Sequence, residues 1–208
     1  QLTSEAARAR LEAGGWRDPK GALDQIAALT NGVTRRAQIQ RVLLPVLLQW
    51  LSEGPDPDMG LLAFRRLSEA LGESPWYLRM LRDSELAAQR LMAVLSSSRL
   101  IATLLERIPE AAHWLADESR LQALAPETLA EEARAIVERH RDDRDGAQTA
   151  LRTLRRRELL RAALASSLGL DDVLATGERL TAIAGVAIDA ALDLVGGDRP
   201  SILQLSQV

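Results

Sequence analysis

The sequence predicts an all-α protein, a multi-helix bundle of about ten helices. Apolar residues recur at helical spacing in one segment after another, and the capping residues Asp18 and Asp56 each precede a proline where a segment begins. We find no convincing alternating strand pattern before Ser201. Residues 201–208 either begin a strand or are the cut end of a longer chain.

Turn and capping residues divide the chain into successive helices. Thr34 is expected to begin a long buried helix, which Pro45 should kink because it removes one backbone donor. Ser98 ends a run of serines and is interpreted as a helix cap; a phosphate cradle is the alternative, but no glycine-rich loop supports it. The predicted helices span residues 2–13, 19–30, 34–53, 57–71, 75–81, 84–95, 99–108, 109–116, 126–139, 148–168 and 171–195.

The penultimate predicted helix contains the one feature that ordinary helix packing does not explain. Leu154, Arg157, Arg161, Leu164 and Leu168 fall on one stripe, so arginines occupy positions that should be apolar. Arg157 and Arg161 are also a like-charge pair one turn apart, which costs roughly 0.2–0.5 kcal/mol on an isolated helix. We therefore expect an anionic group to face them. It is either a carboxylate on a neighbouring helix of this chain or part of a functional or interdomain contact, unless the arginine stems merely cover apolar surface.

Two further segments bear on domain organisation. The polar run from His140 to Gly146 is a hinge candidate or a solvated continuation of a helix. We divide the chain there, into a bundle over residues 1–140 and helices over residues 141–208, which either stand apart or pack as one unit with the first part. The last helix is amphipathic, and one of its faces carries Leu180, Ala184, Ala187, Ile188, Ala191 and Val195.

Composition limits the classes of function. The 208 residues are 47% hydrophobic and carry a formal net charge of -3, so no basic field favours nucleic-acid binding. No apolar run is long enough to cross a membrane, and the first residues lack the layout of a signal peptide. Cysteine is absent, which excludes disulfides and thiolate metal sites. We expect a cytoplasmic protein that binds neither nucleic acid nor membrane.

No complete active site can be read from the residues. His113 and His140 are far apart in sequence, and neither has the spacing of metal ligands. Carboxylate pairs such as Glu131 and Glu132 stand beside arginines, where solvation and ion pairing explain them. We therefore predict no catalytic residue and no metal site.

Several stretches nevertheless resemble one protein family. They are DPDMGLLAFRRL at residues 56–67, PWYLR at 75–79, SSRLIATLL at 97–105 and LRRRELLR at 154–161. Their order and spacing resemble the glutamine synthetase adenylyltransferases, and the sequence is similar to the actinobacterial members of that family. The resemblance extends from about residue 28 to residue 195 and is weakest at the N-terminus.

The resemblance implies a piece of a larger enzyme. The family carries an N-terminal adenylyl-removing domain and a C-terminal adenylylating domain, each marked by a glycine-rich turn and a Ser-Asp-x-Asp motif that holds magnesium. This sequence contains neither motif and matches the helical region between the two domains. The resemblance thus implies a fragment that is inactive alone and needs no cofactor, whereas the parent enzyme uses magnesium and ATP.

Partners also follow from the resemblance. They are the adjacent nucleotidyltransferase domains of the parent chain, glutamine synthetase and the PII-type signalling protein. Arg157 and Arg161, together with Arg156 and Glu158, are the candidates for an interdomain or anion contact, because their helix directly precedes the adenylylating domain in the family. The first hypothesis is therefore a regulatory interdomain module. The alternative is an independent α-helical adaptor that binds a partner helix and has no connection to nucleotide transfer.

Overall fold

A computed structural model of the chain describes residues 4–72 and 74–196. Within these residues the regular structure consists of ten α-helices and two 3-10 helices, with no strand. The predicted all-α, multi-helix fold is confirmed. The strand or cut end expected at residues 201–208 lies outside the described residues.

The chain divides into two compact units, residues 1–120 and residues 121–208. The α-helices of unit 1 are α1 (Ser4–Ala13), α2 (Pro19–Thr30), α3 (Arg35–Ser52), α4 (Pro57–Leu71), α5 (Pro75–Asp83), α6 (Glu85–Ser97) and α7 (Arg99–Arg107). The 3-10 helices Pro109–Ala116 and Glu118–Leu121 follow α7. The α-helices of unit 2 are α8 (Pro126–Arg139), α9 (Arg144–Ser167) and α10 (Val173–Val195).

Helix starts agree with the capping residues found in the sequence. The side chains of Asp18, Thr34, Asp56 and Ser98 each accept a hydrogen bond from the backbone N–H three residues later, at 2.9–3.3 Å. Each of these bonds satisfies a donor that the first helical turn leaves without a partner. Ser98 is thus a helix cap in this structure, as predicted.

Helix α6 is the centre of unit 1. It packs against α3, α4, α5 and α7 and against the 3-10 helix Pro109–Ala116. Its buried side chains include Ala87, Leu91, Met92 and Leu95. A helix that is covered on several sides needs apolar residues on more than one face, and the sequence of α6 provides them.

Unit 2 is a bundle of three helices in which α8, α9 and α10 each pack against the other two. The domain division predicted at residue 140 falls inside unit 2, between α8 and α9. Arg179 on α10 donates to the backbone oxygen of Leu121 at 2.6 Å, so the segment before α8 is also tied to this bundle. Asp143 caps α9 by accepting from Gly146 N–H at 2.9 Å, and α9 therefore begins earlier than predicted.

The apolar face that the sequence assigns to the last helix is largely exposed. Leu180, Ile188 and Val195 are 43%, 47% and 70% exposed, whereas Ile183 and Val186 are buried. Helix α10 has two apolar stripes. The stripe that packs against α8 and α9 contains Ile183 and Val186, and it is not the predicted one. In the described part of the chain, no helix combines the length and apolar character required to cross a bilayer.

Gln40 on α3 is buried in unit 1, and neither polar atom of its side-chain amide has a hydrogen-bond partner within the described residues. A buried polar group without a partner costs about 1–3 kcal/mol of stability. We predict that Gln40→Met, which keeps the length of the side chain, stabilises unit 1 by about 1–2 kcal/mol. Urea unfolding followed by tryptophan fluorescence measures this, because Trp16, Trp50, Trp76 and Trp114 all lie in unit 1.

The matched control for this prediction is Gln38→Met on the same helix. Gln38 is exposed, so its replacement should change stability by no more than about 0.5 kcal/mol. A destabilised Gln40→Met protein would show that the amide contributes favourable contacts where it lies.

Candidate functional site

The core of unit 2 is assembled from one apolar stripe on each of its helices. Leu129 and Ala133 come from α8, Leu154 from α9, and Ile183 and Val186 from α10. Each is less than 10% exposed, and together they form one hydrophobic cluster. A charged side chain placed in this cluster needs compensation from other polar groups.

Glu158 is such a side chain. It is 4% exposed, the lowest exposure of any acidic residue in the described ranges 4–72 and 74–196. Along with Ala133, Leu154 and Ile183 it lines a small pocket of about 10 Å³, so nearly all of its surroundings are protein atoms. Its carboxylate therefore depends on protein donors.

Two arginines of the same helix supply those donors. Arg157 Nε donates to Glu158 Oε1 at 2.8 Å. Arg161 Nε donates to Glu158 Oε2 at 3.0 Å, and a terminal nitrogen of the same guanidinium donates to Oε1 at 3.4 Å. The two cations hold opposite oxygens of one buried carboxylate, so the like-charge pair expected from the sequence has an anion between its members.

The second carboxylate comes from helix α8. Both terminal nitrogens of Arg157 donate to Glu132, at 2.9 Å to Oε1 and 2.7 Å to Oε2. This two-point geometry fixes the guanidinium in one plane and is stronger than a single contact. Because Glu132 and Arg157 belong to different helices, the pair holds α8 and α9 at one relative position.

Hydrogen bonds stabilise the charged form of Arg157. Hydrogen bonding to Glu132 raises the pKa of the Arg157 guanidinium above its ordinary value; burial opposes this, and Glu158 adds to it. The side chain is 32% exposed and that of Glu132 is 39% exposed, so solvent reaches the outer edge of the cluster. The four side chains Glu132, Arg157, Glu158 and Arg161 form what we call the α8–α9 ion-pair cluster.

The structure brings together three of the predicted residues, namely Arg157, Glu158 and Arg161. Arg156 is half-buried and has no hydrogen bond or ion pair to the cluster among the described residues. Glu158 occupies the buried position of the apolar stripe on α9. Arg157, the residue predicted for that position, precedes it directly and lies at the edge of the core. The anionic group is thus a carboxylate of a neighbouring helix together with Glu158, the first alternative raised from the sequence.

Glu132 is the member of the cluster that was not among the candidate site residues; the sequence indicated only a solvated or ion-paired carboxylate there. Its only signal was its place beside Ala133 and three residues after Leu129, on the edge of the apolar stripe of α8. The short connection between α8 and α9 predicts neighbouring antiparallel helices, but not which residues lie at the same height.

The chemistry of the cluster is that of an ion-pair network, in which two carboxylates balance two guanidinium groups. Elsewhere in residues 4–72 and 74–196, no group of three or more histidine, aspartate or glutamate side chains is placed to hold a metal ion. The arrangement can fix helices relative to one another and can bind a competing anion at its solvent-accessible edge.

Fold and cluster together define a class of helical-bundle protein in which an ion-pair network joins neighbouring helices. Comparison with known proteins identifies the family. The sequence profile of glutamate-ammonia ligase adenylyltransferase matches residues 88–201 of this chain. The chain belongs to that family, which confirms the resemblance noted from the sequence. This membership argues against an adaptor that has no connection to nucleotide transfer.

Individual relatives agree. The chain is similar to bifunctional glutamine synthetase adenylyltransferase/adenylyl-removing enzymes from Leifsonia xyli subsp. xyli, with 58% identity, and from Cutibacterium acnes, with 47% identity. These alignments cover 88% and 94% of this chain but 18% and 20% of the two relatives. The chain therefore spans about a fifth of the length of these relatives. No solved structure matches the chain significantly.

Loss of the Glu158 charge should loosen unit 2. We predict that Glu158→Gln destabilises this unit by about 1–3 kcal/mol, because a neutral amide replaces a buried acceptor shared by two cations. Unit 2 contains no tryptophan, so amide hydrogen exchange of α8, α9 and α10, resolved by mass spectrometry, is the suitable measurement.

The matched control is Glu131→Gln on α8, which removes the same charge from an exposed position. Its exchange rates should equal those of the unaltered chain. Unchanged exchange in Glu158→Gln would mean that the arginines keep the bundle together without this carboxylate.

Proposed function

We propose that this chain is a non-catalytic, regulatory interdomain region of a glutamine synthetase adenylyltransferase. In the whole enzyme it would connect the adenylyl-removing and adenylylating domains and pass information on nitrogen status between them. ATP and magnesium would be held by the catalytic domains, and glutamine synthetase would be their substrate. The whole protein would act in the cytoplasm.

The family match over residues 88–201 carries this proposal. The relatives are named for two opposed activities, and about four-fifths of their length lies outside the part that resembles this chain. The sequence itself has no Ser-Asp-x-Asp motif of the kind that the resemblance assigns to the catalytic domains. A helical region that would connect two catalytic domains is better suited to transmitting a regulatory signal than to catalysing AMP transfer.

The α8–α9 ion-pair cluster supplies a physical means of transmission. Glu132 and Arg157 are each about one-third exposed, so a carboxylate or phosphate of a neighbouring domain or partner can compete with Glu132 for the guanidinium. Such competition would break the ion pair between α8 and α9 while Glu158 retains Arg161. Effects of this kind shift the balance between two arrangements of packed helices. A PII-type protein or an adjacent domain is the expected source of the competing anion.

The first test concerns the reaction. The chain of residues 1–208, incubated with glutamine synthetase, magnesium and ATP labelled in the α-phosphate, should transfer no label. The full-length enzyme should label glutamine synthetase under the same conditions. Labelling by the 208-residue chain alone would overturn the non-catalytic assignment.

The second test concerns regulation in the full-length enzyme. We predict that Glu132→Gln shifts the half-maximal concentration of glutamine or of PII-type protein by about fivefold, because Arg157 then loses the carboxylate that competes with an incoming anion. Adenylylation is measured at a series of effector concentrations, with Glu131→Gln as the variant of equal charge. Superimposable effector curves for wild type and Glu132→Gln would remove the cluster from regulation.

A further inference from the structure

Helix α10 leaves an apolar face uncovered. The outer face of α10 is formed by Leu180, Ala184, Ile188, Ala191 and Val195, which follow one another at steps of four or three residues, and all are exposed. Single exposed apolar residues are ordinary, but a continuous line of them over about four turns of helix is typical of a contact surface.

This face continues into a groove between α9 and α10. The groove has a volume of about 400 Å³. Its floor is apolar and shallow, formed by Leu151 of α9 and by Ala187, Ala191, Leu194 and Val195 of α10. The two alanines leave space in the floor for apolar side chains of a partner, beside the exposed side chain of Val195.

One wall of the groove is lined with arginines. Arg144, Arg152 and Arg155 of α9 are exposed and lie along the groove with Gln148, and no acidic side chain of the described residues lines it. None of the three has a carboxylate partner within residues 4–72 and 74–196; Arg152 makes a single contact, to Gln148 Oε1 at 3.5 Å. The arginine–carboxylate ion pairs of α9 described above lie on the opposite side of the helix, where Arg157 pairs with Glu132 and Glu158.

The positions of these arginines are locally unfavourable. Arg144 occupies the first turn of α9, where the helix dipole disfavours positive charge. Arg152 and Arg155 are one turn apart and repel each other. An anionic ligand in the groove would relieve both effects, whereas internal packing does not require these charges.

We propose that the groove between α9 and α10 binds an acidic amphipathic helix, whose apolar stripe occupies the floor and whose carboxylates pair with Arg144, Arg152 and Arg155. The recessed apolar floor can bind a row of leucine-like side chains. The arginines of the wall can pair with a row of carboxylates beside them. A groove between two helices accepts a third helix lengthwise. This inference does not depend on the regulatory role proposed above.

Synthetic helices test the proposal with the intact 208-residue chain. A fluorescent peptide of three heptads, with leucine at the core positions and glutamate on one flank, is compared with the same peptide carrying lysine in place of glutamate. In fluorescence anisotropy the glutamate peptide should bind at least tenfold more tightly, and its affinity should fall as salt is raised.

Variants locate the binding. Arg152→Glu with Arg155→Glu should weaken the glutamate peptide at least tenfold. The matched control is Arg134→Glu with Arg139→Glu, which makes the same change of charge at exposed positions of α8 outside the groove and should leave binding unaltered. Hydrogen exchange of α8, α9 and α10 verifies that each variant is folded.

Four outcomes would overturn the proposal. They are failure of the glutamate peptide to bind, equal binding of both peptides, equal affinity of the Arg152→Glu/Arg155→Glu variant, and binding to phosphatidylserine vesicles in place of the peptide. The last outcome would identify an anionic lipid surface as the ligand.

Discussion

The arrangement of unit 2 depends on one buried carboxylate. Glu158 lies in an apolar three-helix core, where an ionised group is tolerated only if its oxygens are fully engaged. Arg157, which directly precedes Glu158, and Arg161, one turn later, engage them, and Arg157 also reaches Glu132 on α8. The need to compensate the charge of Glu158 therefore explains the two arginines beside it on α9. It also explains the ion pair that links α9 to Glu132 on α8.

Helix α9 separates its positive charges by function. With about 100° between successive residues, the buried stripe through Leu151, Leu154 and Glu158 divides the helix surface into two flanks. Arg157 and Arg161 lie on one flank and are neutralised inside the unit. Arg152 and Arg155 lie on the other and face a groove that no acidic side chain lines in the part of the chain that the structure describes. One highly basic helix thus contains both a structural contact and a free binding surface.

The sequence was informative about helix ends because the relevant physics is local. Asp18, Asp56 and Ser98 each accept a hydrogen bond from a backbone N–H three residues away, so the helix starts that they cap can be predicted from sequence spacing alone. The 3-10 helix at Pro109–Ala116, expected only as a short helix, shows that spacing does not separate the two helix types where segments are brief.

Packing faces and partners were less predictable. Two apolar stripes run along α10, and only the position of α8 and α9 decides that Ile183 is buried while Ile188 is exposed. On α9, the stripe can be drawn through Arg157 or through Glu158 with nearly equal periodicity, and the tertiary contacts select Glu158. Glu132 is linked to Glu158 through Arg157, which requires α8 and α9 to pack in one particular register. The length of the loop between the two helices does not determine that register.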